Sequence, residues 1–237
     1  MKFEIKNRWT GTVQYSCELD AEIAGKSYGI QIGFAVKKAL ADGSDLSGSD
    51  LSGSNLRGSN LRGSNLRGSD LSGSDLSGSD LSGSDLSGSD LRGSDLSGSD
   101  LSGSNLRGSN LRGSNLRGSD LSGSDLSGSD LRGSNLSKCP VKIDNIHSAV
   151  YAAASAPKAL NMSQWHTCET THCRAGWVIA LAGEGGRALE FACGTPTAAA
   201  MIYVASDPDL KRIPDFYCGN DAALDDMRRL AEAEQAA

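Results

Sequence analysis

The long central segment of this chain, Gly43 to Ser137, contains no aromatic residue, no threonine and no alanine. Without aromatics it offers no surface on which bases could stack. Without threonine it has no flat face of the ice-binding kind. No part of the chain is strongly basic. Residues 1–43 carry a net charge of +1, residues 44–137 of −4 and residues 138–237 of −3, for a total of −6. That balance argues against direct binding of a phosphate backbone. No stretch of about 18 apolar residues could cross a membrane. The opening Met1-Lys-Phe-Glu-Ile alternates charged and apolar residues and is no signal peptide. The expected compartment is cytoplasmic, with the six cysteines mostly reduced thiols.

What the long segment does contain is a leucine at every fifth position, from Leu46 to Leu136. It comprises nineteen consecutive units of the form Gly-Ser-(Asp/Asn)-Leu-(Ser/Arg). Composition alone would make a Gly/Ser-rich tract a flexible linker. A linker has no reason to hold one large apolar residue in strict register. A period of five fits neither a helical face nor a strand face. It fits a solenoid, in which one unit cannot bury its leucine alone and stacking builds the core.

Gly-Ser-Asp-Leu-Ser and Gly-Ser-Asn-Leu-Arg resemble the units of the pentapeptide-repeat family. The resemblance implies a mainly β fold: a right-handed quadrilateral β-helix with one unit per side and four units per coil. It also implies that the leucine and the small residue two before it point inward. On that scheme Leu46, Leu66, Leu86, Leu106 and Leu126 stack on one side, and Leu51, Leu71, Leu91, Leu111 and Leu131 on the next. Each glycine falls where the chain turns a corner. The inward small residue is serine in every unit, where family members more often have alanine. Each buried hydroxyl then needs a partner, most simply a backbone carbonyl, so the array is expected to be less stable than an alanine counterpart.

Outward positions carry a second pattern. Asn before the leucine pairs with Arg after it in two blocks, Asn55–Arg67 and Asn105–Arg117, while Asp mostly pairs with Ser. Such uniformity marks recent duplication or a consensus-style engineered array.

The array is flanked by two other segments, giving three expected domains: 1–42, 43–137 and 138–237. In the first, Phe3 and Ile5, then Val13, Tyr15, Cys17 and Leu19, alternate with polar residues around Asn7–Gly11. That pattern predicts a β-hairpin. Ser27 to Ala41 follows as a helix with one apolar face, weakened by Gly29 and Gly33. Hairpin and helix are expected to cap the open end of the solenoid. They are similar to N-terminal segments of some bacterial and phage-associated members of the family.

The third segment reads as a small α-helical domain. Helices are expected from about Asn145 to Ser155 behind an Asp144 cap, then from a Thr170 or Thr171 cap to the Gly183–Gly186 break. Others follow near Arg187–Cys193, from Thr195-Pro196 through Val204, and from an Asn220 cap onward. A dimer could form through this domain if its last helix leaves apolar residues uncovered; otherwise the chain is a monomer.

One constellation could carry chemistry. His166, Cys168, His172 and Cys173 lie within eight residues and are zinc-type ligands. Their spacing matches no C-x₂-C or H-x₃-H pattern, so a site would need Cys139, His147, Cys193 or Cys218 from a second segment. Alternatively, Cys168 or Cys173 at a helix N-terminus could act as an activated thiol. The bland reading is that these small thiols and the neighbouring tryptophans pack a core.

Three functions remain open to the sequence. The chain is a non-enzymatic structural scaffold without cofactor, or a protein-binding module, or a zinc or thiol protein acting through its last segment. For the second, the resemblance implies mimicry of duplex DNA towards type II topoisomerases. Eight arginines among the twelve aspartates of the repeats weaken that field.

Overall fold

The computed structural model describes residues 1–136, 139–163 and 171–236, with the backbone of 166–168; at 171 too only the backbone is described. The chain divides into two compact units, Met1–Ser137 and Lys138–Ala237.

In the first unit, β1 (Lys2–Lys6) and β2 (Val13–Glu18) pair antiparallel, with Phe3 opposite Cys17 and Ile5 opposite Tyr15. Phe3, Ile5 and Cys17 are buried, which is the inward half of the alternation. The Asn7 side chain closes the turn by accepting from the N–H groups of Trp9 and Thr10. A short helix, α1 (Ala21–Ala24), begins where the Asp20 carboxylate accepts from the Ile23 N–H at 2.8 Å. It leads into α2 (Tyr28–Ala41), which buries Ile32, Gly33, Ala35, Val36 and Ala39.

The repeats form a ladder in which each unit bridges the one twenty residues on, in parallel. Asp50 pairs with Asp70, Asn55 with Asp75, Asn60 with Asp80 and Asn65 with Asp85, and so onward. Four five-residue units therefore complete one coil. Every interior side exchanges three backbone bonds with the next coil. On one such side the Leu61 N–H donates to Asp80 at 2.7 Å, Gly63 to Ser82 at 3.0 Å, and Asp80 to Ser59 at 2.9 Å.

Corners are made alike throughout. The Ser89 N–H donates to the Leu86 carbonyl, and Gly88 between them has φ +64°. A turn with φ > 0 at its third residue needs glycine there. The aspartate or asparagine two before each corner fixes it further, as where the Asp75 carboxylate accepts from the Ser77 N–H at 3.0 Å. Leu46, Leu51, Leu66, Leu86, Leu91, Leu106 and Leu111 are fully buried, and Leu126 and Leu131 nearly so.

The expectation of a mainly β chain holds only in part. Strand makes up 15% of the residues, and no sheet closes among the described residues. Each side contributes a single bridge rather than a run of paired residues. Among the described residues only β3 (Asn115–Leu116) and β4 (Asn135–Leu136) extend to a two-residue parallel strand. A five-residue side spends the rest of its length on the corner.

The second unit is largely helical: α3 (Ile146–Ala154), α4 (Arg174–Leu181), α5 (Gly183–Cys193), α6 (Thr195–Ser206) and α7 (Asn220–Gln235). A small antiparallel pair, β5 (His166–Cys168) and β6 (Thr171–His172), precedes α4. Helix α6 packs on both α4 and α5, and α3 packs on α7. Ala198, Ala199, Ala200, Ile202 and Tyr203 of α6 are all buried, as a helix apolar nearly all round requires. On α7, Ala223, Met227 and Ala231 are buried and Leu224 and Leu230 half-buried.

Several helix starts differ from the sequence expectation. Asn145, not Asp144, precedes α3, in a left-handed conformation at φ 51°. Asn is among the few residues that adopt it readily. Helix α4 is capped by Cys173 and ends at Leu181; Gly183, at φ 63°, makes the expected break there, and Gly183–Gly186 also opens α5. Gly219 is the cap of α7, and the Asn220 side-chain Oδ1 accepts instead from the Met162 N–H at 2.7 Å.

Candidate functional site

Two regions depart from plain packing: the first coil of the ladder and the surroundings of Arg174 and Cys173.

The first coil has no preceding coil to pair with. The N-terminal segment supplies partners for part of it. The Asp50 N–H donates to the Lys6 carbonyl, the Arg8 N–H to Gly48, and the Asn55 N–H to Gly29, each at 2.8 Å. Arg8 also reaches over the next coils. Its guanidinium donates to the Ser69 carbonyl at 3.1 Å and lies 3.4 Å from the Asp70 carboxylate and 3.8 Å from Asp90. Trp9 lies over Gly48 and Gly68, where any Cβ would come within 2.7 Å of its ring. The hairpin and α2 are locked together in turn. The Tyr15 hydroxyl donates to the Asp42 carboxylate at 2.6 Å, which pushes the tyrosine pKa up to about 12.

The cap is incomplete. On the side made by residues 58–62, the Asn60 N–H, the Asn60 carbonyl and the Arg62 carbonyl find no partner among the described residues. On the next side the same holds for the Asn65 N–H and carbonyl. An open cavity of about 880 Å³ adjoins both sides, lined among others by Lys37 and Leu40 of α2 and by Asp45, Asn60, Arg62 and Asn65.

Inward serines pair in more than one way: Ser49 donates to the Gln14 side chain, Ser54 to Ser74 and Ser74 to the Leu51 carbonyl. Most donate to the carbonyl of the leucine three residues back, at 2.5–2.7 Å for Ser69, Ser79, Ser89, Ser99, Ser109 and Ser129. That carbonyl already accepts the serine's own N–H, so one acceptor serves both groups. Ser64, Ser84 and Ser104, stacked on one side, have no hydroxyl partner among the described residues, nor does Ser59.

In the second unit, the side chains of His166 and Cys168 lie outside the described residues. His172 is buried, with its ring edge-on to Trp177 at 4.7 Å. Its N–H donates to the Ala159 carbonyl at 3.0 Å, and its carbonyl accepts from Asn161. Cys173 is buried at the start of α4, where Sγ accepts from the Gly176 N–H at 3.3 Å. Burial pushes its thiol pKa up, outweighing the hydrogen bonds from Gly176 and Ala175 that act the other way. The activated-thiol reading of Cys173 is thereby corrected: the helix N-terminus is present, but desolvation wins. Burial likewise raises Cys139 and Cys218.

His147, one of the second-segment candidates, is engaged elsewhere. Its Nε2 lies 2.9 Å from the Asp207 carboxylate, and its ring stacks on Tyr203. Among the described residues no group of three or more His, Cys, Asp or Glu is placed to hold a metal ion.

The polar feature that sequence reading missed is Arg174. It is 1% exposed. Its guanidinium donates to Asp226 at 2.6 Å and to the Tyr203 hydroxyl at 3.2 Å, and one terminal nitrogen has no partner among the described residues. An arginine between a cysteine and an alanine gave no hint of burial. The only signal was an acidic residue on the inner edge of the last helix.

A ladder of five-residue units with inward leucines and a glycine at each corner defines a repeat-built β-helical solenoid. Residues 44–83, 69–108 and 99–137 match the model for pentapeptide repeats, eight copies in all. The chain belongs to the pentapeptide-repeat family. No curated protein matches it.

Among solved structures, a pentapeptide repeat protein from the cyanobacterium Cyanothece 51142 is 39% identical over 35% of this chain and 56% of its own length, with TM-score 0.34. One from Nostoc Pcc 7120 is 36% identical over 39% of this chain and 74% of its own, with TM-score 0.35. QnrB1, a plasmid-mediated fluoroquinolone resistance protein, is 20% identical over 42% of this chain and 53% of its own, with TM-score 0.27. No helix among the described residues is long and apolar enough to cross a membrane.

Proposed function

We propose that this chain is a non-enzymatic scaffold: a right-handed, four-sided β-helix that holds its two flanking segments and offers its outer faces to a protein partner. The observation that carries this reading is the closure of the ladder. Each interior side satisfies its backbone through three bonds and buries its leucine. Only Asp, Asn, Ser and Arg side chains remain outward, held by turn-closing bonds to the next residues. Pentapeptide-repeat proteins are generally structural or binding proteins, and the raised thiols fit a structural role for the cysteines.

The test combines metal analysis with thiol titration of the purified chain. A scaffold contains no stoichiometric zinc, and its buried thiols react slowly until denaturant is added. One bound zinc per chain, or one cysteine alkylated rapidly in the native state, would overturn the reading.

A second reading, charge mimicry of duplex DNA towards a type II topoisomerase, is favoured by one feature. Seven consecutive units place Asp70, Asp75, Asp80, Asp85, Asp90, Asp95 and Asp100 outward on adjoining sides. Arg8 and Arg92 neutralise part of that surface. A gyrase supercoiling assay decides: neither inhibition nor protection at micromolar protein removes this reading.

A further inference from the structure

We propose that the uncapped side of the first coil, residues 58–62, is a docking edge for a short, extended, acidic peptide segment that pairs with it as an added strand. Three backbone groups there await partners: the Asn60 N–H, the Asn60 carbonyl and the Arg62 carbonyl. Inside the ladder the equivalent groups of Asp80 and Ser82 make all three bonds with the coil before: the Asp80 N–H donates to Ser59, and the Asp80 and Ser82 carbonyls accept from Leu61 and Gly63. An extended peptide presents the same alternating donors and acceptors, which is how strands are added to open edges. The cavity of about 880 Å³ between this side and α2 leaves room for its side chains.

Charge selects the class of partner. The chain as a whole is net negative, at −6. Around the open side the sign reverses, because units 53–67 carry Asn and Arg where most others carry Asp and Ser. Lys37, Arg57, Arg62 and Arg67 are exposed and make no ion pair within 4 Å among the described residues. Arg62 acts only weakly on Asp80 of the next coil. The one acid lining the cavity, Asp45, is held by the Ser47 N–H at 2.8 Å. The second Asn/Arg block, by contrast, is bridged to coils on both sides, as Asn105 is to Asp85 and Asp125. It has the charge without the edge, and so serves as an internal control.

The experiment is fluorescence anisotropy on the full chain with a labelled hexapeptide of alternating aspartate and valine. Comparison probes are the lysine–valine counterpart, an acidic peptide with alternate amides N-methylated, and a duplex oligonucleotide. The acidic peptide is expected to bind, and the basic one not. N-methylation should weaken binding by about 2–10-fold for each bond lost. Arg62→Ser and Lys37→Ser should each weaken it several-fold, while Arg112→Ser leaves it unchanged. Unfolding curves of each variant identify any loss that comes from misfolding. Four results would overturn the proposal: equal binding of the N-methylated peptide, loss on Arg112→Ser, tighter binding of the duplex, or concentration-dependent self-association that excludes the peptide.

Discussion

Gly33 of α2 packs its bare Cα against the carbonyl of Asn55 in the first coil, so closely that an added Cβ would overlap the carbonyl oxygen. One turn earlier, a Cβ on Gly29 would lie 2.6 Å from the Gly53 carbonyl. The two glycines lower helix propensity because they serve a contact instead. Gly33→Ala gains about 1 kcal/mol in propensity but incurs an overpacking cost of about 1–3 kcal/mol. The expected result is net destabilisation, larger for Gly33→Ala than for Gly29→Ala. Urea unfolding measures it. Hydrogen exchange at the Asn55 amide, which donates to Gly29, should accelerate in both.

Inward serines should not behave alike. Ser84 and Ser104 bury a hydroxyl without a partner, so Ser84→Ala and Ser104→Ala should stabilise by about 1–3 kcal/mol, the usual penalty for such a group. Ser89 and Ser109 donate to the leucine carbonyl three back, so their alanine variants should lie within about 1 kcal/mol of the parent. Chemical unfolding of the four single variants checks the ordering. Equal effects at all four positions would show that the side-specific pairing is absent in solution.

The ladder was legible because its period is self-enforcing. One leucine per five residues leaves few ways to bury Leu46 to Leu131, and glycine at each corner marks the turns. The hairpin was legible from the alternation of Phe3 and Ile5 with charged residues. Helix starts were less so. Asp144 and Asn145 are both good caps, and the choice fell to Asn145 because it tolerates φ 51°. Cys173 is no standard cap, yet its sulfur takes that place. The incomplete cover of the first coil could not be read at all. It depends on where α2 crosses the coil, which the Gly33 contact sets through space. Arg174 was equally hidden, because its partner Asp226 lies 52 residues away.

The Arg174–Asp226 pair makes stability depend on pH in acid. Burial alone would raise the Asp226 pKa, but hydrogen bonds from Arg174 and Arg229 hold it below its ordinary value. The folded form thus binds fewer protons than the unfolded one between the lowered and the ordinary carboxyl pKa. The pair's contribution is fully present above the ordinary value and is lost as pH falls through the lowered one. Asp226→Asn should flatten that acid slope and destabilise the chain at neutral pH. The loss should fall short of the about 3–5 kcal/mol of a fully buried pair, because a third of the Asp226 side chain meets water. Urea midpoints between about pH 2 and 6, spanning the usual carboxyl range, provide the measurement.

Cys173 offers a way to separate a capping sulfur from a reactive one. Its Sγ accepts the Gly176 N–H at the start of α4, and its thiol pKa is raised by burial. Cys173→Ser preserves an acceptor at the cap, and serine is among the preferred cap residues. That variant should keep most of the parent's stability. Cys173→Ala removes the acceptor and should cost about 0.5–2 kcal/mol. A nucleophilic or metal-binding thiol would give the opposite pattern, in which serine and alanine abolish an activity alike while stability follows no cap rule. Thermal unfolding of both variants distinguishes the cases, together with alkylation rates at mildly alkaline pH. Slow alkylation with Ser retained and Ala lost fits the cap, and rapid alkylation of Cys173 in the folded chain would refute it.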